Sequence, residues 1–224
     1  MLMFSARARQ PIAVVVDPVA KALLRVGLTP NMVTVAGTVA TIMVLVLLIP
    51  SGHLIWATAL TALFAAMDLI DGTMARMRGG GTAFGATLDA SCDRLTDGAL
   101  FGAIAVWLIY TEQARPSAVG ACLVVLVLSQ VISYIKARAE AGGLTVNGGL
   151  IERAERIIIA LVGLFLQGVG VPNAVVVALW VLAVGSAVTV VQRLVLASRD
   201  PKASAHIAPP KGATDPAGVD GYQA

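Results

Sequence analysis

Four aspartates stand at spacings that would bring their carboxylates together: Asp68 with Asp71, and Asp89 with Asp93. Spacings of i,i+3 and i,i+4 put each pair on one face of a helix. The surrounding chain is apolar, with 58% hydrophobic and only 13% charged residues. A charge inside a membrane segment costs roughly 2.5–3.5 kcal/mol on insertion scales. Four like charges in two neighbouring apolar helices therefore need a compensating cation. Two such faces opposed make an all-oxygen cage suited to a hard divalent ion such as Mg2+ or Mn2+. Intramembrane carboxylates also mark ion pathways, so spacing alone leaves a divalent-cation transporter open beside an enzyme. Gly72, Ala75 and Gly85 let the two helices approach closely. Beside metal carboxylates they also leave room for a nucleotide.

The complete pattern, from Asp68 to Asp93, is Asp-x2-Asp-Gly-x2-Ala-Arg-x8-Gly-x3-Asp-x3-Asp. It resembles the signature of the CDP-alcohol phosphotransferases, with every signature position present. The resemblance implies transfer of a phosphatidyl or related group from a CDP-linked lipid to an alcohol, with release of CMP. On that footing Asp68, Asp71 and Asp89, with Asp93, are expected to hold two divalent ions on the CDP diphosphate. Asp93 is the candidate general base for the acceptor hydroxyl. Arg76, which alone would read as a side chain snorkelling to the interface, is implied to contact the CDP moiety. Its planar fork suits a diphosphate. Asn31, Met32, Val33 and Thr34 are implied to line the nucleotide pocket, together with Gly72, Ala75 and Thr82. Without the resemblance, Thr29-Pro30-Asn31 reads only as a helix start. The run Gly79-Gly80-Gly81-Thr82 reads as a loop whose backbone can approach phosphate.

These side chains need membrane helices to carry them. A mean hydropathy of +0.85 is far above that of a soluble protein. Apolar runs mark six candidate spans, each needing about 20 residues to cross. They cover 31–49, 53–76, 82–110, 117–138, 150–168 and 173–197, with a Pro50-Ser51-Gly52 turn after the first. Spans two, three and five are charge-free over only part of their length: His53–Met67, Gly98–Thr111 and from Ile157 on. At about 1.5 Å per residue, the shorter stretches cover only about 21–23 Å of a core roughly 30 Å thick. The charged remainders all lie at one end, where they predict a polar cavity cut into one leaflet.

The cations give that end its side of the membrane. Arg7, Arg9, Lys21 and Arg25 precede span one, and Arg76 and Arg78 lie between spans two and three. Lys136, Arg138, Arg153 and Arg156 flank the loop between spans four and five, and Arg193, Arg199, Lys202 and Lys211 end the chain. Of the loop cations, only Arg115 falls on the other side. The positive-inside rule then puts both termini, both long loops and the cavity in the cytoplasm of a plasma-membrane protein. The net charge of +3 follows from these loops and calls for no nucleic acid. Topology accounts for the second basic group, and Glu152 and Arg156 stand at i,i+4 for a pair. Yet Lys136, Arg138, Arg153, Arg156 and Arg193 converge on the cavity mouth from three spans, as a phosphorylated acceptor would require. The stretch Ser133–Arg156 also resembles an actinobacterial branch of the family. That likeness implies inositol 1-phosphate as acceptor, with glycerol 3-phosphate as the alternative and CDP-diacylglycerol as the donor lipid. A homodimer is implied by resemblance alone.

The expected fold is thus all-α: a polytopic membrane domain over residues 1–199 with six transmembrane helices and a short N-terminal surface helix. Asp17-Pro18 predicts the start of that surface helix, Val19, Leu23 and Val26 its apolar face, and Gly27 its stop. The first residues lack the pattern of a cleavable signal. Residues 200–224, rich in Pro, Ala and Gly, are expected to form a disordered tail. Cys92 and Cys122 are expected as free thiols. Asp97, one turn beyond Asp93, is expected to pair with Arg94 or to support the site from behind rather than to bind metal.

Overall fold

A computed structural model of the chain describes residues 16–65 and 68–205, except for the side chain of Asp68. The distal cations Arg7, Arg9 and Lys211 and the tail from residue 206 lie outside that description. The described chain is entirely helical, without strands. A short helix α1 covers 16–25. It is followed by α2 (Pro30–Leu48), α3 (Leu54–Ala65), α4 (Asp68–Met77), α5 (Ala83–Val106), α6 (Pro116–Ala141), α7 (Arg153–Gly168) and α8 (Ala174–Arg199). A π-helical turn, Trp107–Thr111, extends α5.

Among the described residues four stretches are long and apolar enough to cross a bilayer: Pro30–Leu48, Leu54–Met77, Pro116–Ala141 and Ala174–Arg199. The other two expected spans fall short for a chemical reason. The helix α5 carries Asp89, Asp93, Arg94 and Asp97, and α7 has only 16 residues with Arg153, Glu155 and Arg156 in its first turn. The two helices that miss are those that carry most of the charge facing the cavities described below.

Local signals set the helix ends. Thr29 caps α2, its hydroxyl accepting from the Met32 N–H at 3.3 Å, and Pro30 takes the first helical position. Thr82 caps α5, accepting from the Gly85 N–H at 2.9 Å. The N-terminal helix departs from expectation. It is already helical at residue 16, so Pro18 lies inside its first turns, where a missing N–H is tolerated. Its packed face is Ala20, Leu23 and Leu24, resting on Val33, Ile70 and Met74, while Val19 and Val26 are exposed.

The helix α5 runs through the middle, between α2 and α6. The helix α8 packs on α6 and α7, and α3 bridges α2 and α7. One apolar core, including Leu45, Phe101, Ile104, Leu108, Val125, Leu164 and Leu182, fills the end away from the carboxylates. Exposed Val39, Met43 and Val46 on α2, and Val177, Trp180 and Val184 on α8, give the outer surface the apolar character a bilayer requires. Cys92 and Cys122 are buried free thiols, as expected. Residues 200–205 are not a loose tail. Asp200 accepts the backbone N–H of Thr145 at 2.9 Å and that of Lys202 at 2.9 Å.

Candidate active site

Two large cavities open on either side of the charged half of α5. The first, about 840 Å³, is lined by Asn31 and Thr34 of α2, by Asp71, Gly72 and Ala75 of α4, and by Thr82 and Asp89 at the start of α5. Asn31 and Thr34 are three residues apart and so share a face of α2. Met32 and Val33 are rotated away from it: Met32 is exposed, and Val33 is buried against the N-terminal helix. Neither lines the cavity. Gly85 packs tightly: a Cβ there would sit 3.1 Å from the Thr82 hydroxyl and 3.2 Å from the Asn31 amide oxygen, so those side chains would have to give way. Arg76 is exposed and turns back along its own helix, donating from Nη2 to the Thr73 hydroxyl at 2.7 Å. Arg78 is the basic residue that lines this cavity, and Gly80 and Gly81 complete its wall.

Asp71 is buried, and Thr34 donates to its Oδ2 at 2.5 Å. A hydroxyl bonded to a carboxylate in this way fixes its orientation. Asp89 lines the first cavity, and Asp93 the second. Both also border a small cavity of about 50 Å³ between α2, α3, α5 and α7. Thr34, Thr38 and Thr41 of α2 and Thr61 of α3 face this small space. The carboxylates thus form a row along α5 that joins the two large cavities.

The second large cavity, about 910 Å³, is lined by Lys136 of α6, Arg153 and Arg156 of α7, Arg193 of α8, and Asp93 and Arg94 of α5. Arg138 is not among the lining residues. Two positions beyond Lys136, it lies exposed in the last turn of α6. Asp97 holds the cluster together from below. Its side chain is fully buried and pairs with Arg156 at 2.7 Å, Arg94 at 3.4 Å and Arg153 at 3.7 Å. The expected Asp97–Arg94 pair is present, but Arg156 is the closer partner. Arg153 also reaches Asp93 at 2.8 Å. The i,i+4 pair of Glu152 and Arg156 does not form, because Arg156 points inward to Asp97. Glu152 instead lies 3.6 Å from Arg193. Lys136 pairs with Glu140 at 3.8 Å.

The charge balance leaves donors to spare. Arg156 is completely buried, yet its Nε and Nη1 have no hydrogen-bond partner, and neither do Nε and Nη1 of Arg94 or Nε of Arg153. An unmet buried donor costs about 1–3 kcal/mol, and more when charged. Together with Asp97 Oδ1, which is also without a hydrogen bond, these donors stand behind one cavity wall, where guanidiniums outnumber carboxylates.

For a metal, the donor chemistry fits. Asp71, Asp89 and Asp93 offer hard carboxylate oxygens on adjoining cavities, and Asp97 is set apart by its arginines. Among the described residues no three acidic, His or Cys side chains already converge on one point. The fourth expected ligand, Asp68, begins α4, and its side chain lies outside the described residues.

Sequence reasoning named Thr34 for the pocket but missed Thr38, Thr41 and Thr61 beside it. Thr34, Thr38 and Thr41 follow i,i+4,i+7 along α2 and mark a polar stripe in an apolar span. That stripe was the available signal.

The profile of the CDP-alcohol phosphatidyltransferase family matches residues 27–191. The phosphatidylinositol phosphate synthase of Corynebacterium glutamicum is 59% identical over 94% of this chain and 96% of its own. That of Mycobacterium tuberculosis strain H37Rv is 49% identical over 84% of this chain and 87% of its own. A crystal structure of Mycobacterium tuberculosis phosphatidylinositol phosphate synthase with CDP-DAG bound superposes with a TM-score of 0.83 at 48% identity, covering 86% of this chain and 98% of that one. The same enzyme in complex with manganese and citrate gives a TM-score of 0.82 at 47% identity, covering 86% and 93%. A match over most of the chain removes the transporter reading, and with the carboxylate row between two polar cavities it means that this chain belongs to the CDP-alcohol phosphatidyltransferase family.

Proposed function

We propose that the chain transfers the phosphatidyl group of CDP-diacylglycerol to inositol 1-phosphate, giving phosphatidylinositol phosphate and CMP. The observation that carries the choice of a phosphorylated acceptor is the set of buried guanidinium donors without partners on the second cavity. A neutral alcohol would leave them unpaired. The relatives named above, all phosphatidylinositol phosphate synthases, support inositol phosphate over glycerol 3-phosphate.

The first cavity takes the CDP end of the lipid. Asn31, Thr34, Gly72, Ala75 and Thr82 supply its walls, and Arg78, with Arg76 once it leaves Thr73, faces the diphosphate. Asp68, Asp71, Asp89 and Asp93 would hold two divalent ions, Mg2+ in the cell. When bound, these ions neutralise charge on the diphosphate and on the departing CMP. The second cavity takes the acceptor, its phosphate on Arg153, Arg156, Arg193 and Lys136. That grip turns the acceptor hydroxyl towards Asp93, which accepts its proton. The hydroxyl oxygen bonds to the lipid-linked phosphorus. The bond from that phosphorus to the bridging oxygen of CMP breaks, and CMP leaves with the electron pair. Holding both substrates across α5 converts a two-body encounter into a positioned reaction.

Six spans, with α5 and α7 crossing beside the cavities, suit this chemistry. Their charged ends then face the cytoplasmic leaflet, where the soluble acceptor arrives and lipid tails enter from the side. The N-terminal helix lies on that surface, both termini are cytoplasmic, and two copies pair as a homodimer. The test uses purified full-length protein, CDP-diacylglycerol and Mg2+ with a panel of alcohols, reading CMP release. Inositol 1-phosphate should be used best. Equal turnover with free inositol would refute the phosphorylated-acceptor reading, and preference for glycerol 3-phosphate would reassign the product.

A further inference from the structure

The basic cluster is only as well placed as the loop that delivers it. Between α6 and α7 the chain runs through residues 142–152, and nearly every polar handle on the second half of this loop comes from α8. The Thr189 hydroxyl accepts the Ile151 N–H at 2.9 Å, and Gln192 Oε1 accepts the Leu150 N–H at 2.8 Å. Arg193 Nε donates to the Gly148 carbonyl at 3.0 Å while its Nη1 donates to the Ile132 carbonyl of α6 at 2.7 Å.

Packing fixes the same point. A Cβ at Gly185 would lie 2.2 Å from Ile151 Cδ1, so the Ile151 side chain fills the space over that glycine. One turn on, a Cβ at Gly149 would lie 2.5 Å from Thr189 Cγ2, and Gly149 has φ +149°, a conformation that side chains rarely adopt. Thr189 is fully buried, and Ile151 nearly so. Gly185 and Thr189 therefore form a socket on α8, and Ile151 is its plug. Immediately after the plug, Glu155 Oε2 accepts the Glu152 N–H at 3.1 Å, closing the first turn of α7. The next residue is Arg153, and Arg156 follows one turn later.

We infer that the Gly185–Thr189 socket on α8 is a positioning device for the acceptor site, with Thr189 setting the register of Arg153 and Arg156 through Ile151. Thr189 itself touches no substrate. The inference rests on the reading that these arginines hold the acceptor phosphate. Because the socket acts on one wall of one cavity, its loss should fall on one substrate.

The experiment compares Thr189→Val, which keeps the shape and removes the hydroxyl, with Thr189→Ser, which keeps the hydroxyl. Both are purified at full length and assayed with inositol 1-phosphate, CDP-diacylglycerol and Mg2+. Loss of one buried acceptor should raise the acceptor KM on the order of tenfold in Thr189→Val. The KM for CDP-diacylglycerol should stay within about twofold of the parent, and Thr189→Ser should restore the acceptor KM. Gly185→Ala, which evicts Ile151 while keeping the hydroxyl, provides a second route to the same split. Amide hydrogen exchange across residues 148–153 should quicken in both variants ahead of the rest of the chain.

Equal rises in both KM values, or no rise in either with faster exchange, would overturn the inference. If Arg153→Gln raises the acceptor KM and neither socket variant does, the socket is only structural and the acceptor reading stands. If Arg153→Gln is also silent, the acceptor reading fails first.

Discussion

Asp97 is the best place to break the acceptor half without touching a reacting atom. Its side chain is fully buried and faces Arg156, Arg94 and Arg153 at 2.7, 3.4 and 3.7 Å. With Asp93 also in reach of Arg153, the group holds three guanidiniums against two carboxylates. Asp97→Asn keeps the shape and changes that ratio to three against one. Removing one partner of a buried ion pair costs about 3–5 kcal/mol, because the other charge is left uncompensated. For a chain of this length about 1 kcal/mol moves Tm by roughly 2–4 °C, so the variant should melt about 6–20 °C below the parent. The assay is thermal unfolding of the purified protein in detergent, with and without inorganic phosphate. Phosphate supplies the missing negative charge, so it should raise the Tm of Asp97→Asn more than that of the parent. A variant that melts within about 2 °C of the parent, with no added response to phosphate, would show that Asp97 does not anchor the cluster.

Asp71→Asn and Asp89→Asn should each abolish CMP release at saturating Mg2+ while the protein remains extractable from membranes; near-normal release would remove that residue from the ligand set. Asp93→Asn should slow single-turnover chemistry by about 10²–10⁴-fold and weaken CDP-lipid binding less than Asp71→Asn does. Arg153→Gln and Arg156→Gln should raise the KM for inositol 1-phosphate by about 10- to 150-fold, the equivalent of one charge-assisted hydrogen bond, and leave the KM for CDP-diacylglycerol nearly unchanged. The backbone N–H groups of Thr145 and Lys202 hold the Asp200 carboxyl below the usual carboxylate range. Its tie to Thr145 is therefore present at neutral pH and lost as pH falls through that lowered pKa; exchange of the Thr145 amide, corrected for intrinsic rate, should accelerate only in acid and should be fast at neutral pH in Asp200→Asn.

The carboxylate row and its family were legible because charge in an apolar helix is expensive and the spacing is short. The all-helical class was legible from the apolar runs, and Thr29 and Pro30 marked the start of α2 by local chemistry. What stayed hidden was long-range. Asp97 and Arg156 are 59 positions apart, and nothing in either neighbourhood says that they meet. Glu152 and Arg156 looked like a helical pair, but a buried carboxylate outcompeted an exposed one. Met32, Val33 and Arg138 shared sequence segments with site residues and not their helix faces. The anchoring of the loop over 142–152 was hidden, because Thr189 and Gln192 are ordinary residues of a distant span.

The position of α5 between two cavities makes the fold modular. The first cavity, proposed for the nucleotide, is built from α2, α4 and the first turns of α5, and the second, proposed for the acceptor phosphate, from α5 with α6, α7 and α8. The walls meet along α5, with α3 bridging α2 to α7 beside it. On the proposed assignment, changes in the C-terminal three helices would alter the choice of alcohol and leave the nucleotide wall intact. The division also offers two separate targets for inhibition. On the same assignment, a compound filling the basic cavity would compete with the acceptor, and one that mimics the nucleotide with the donor lipid.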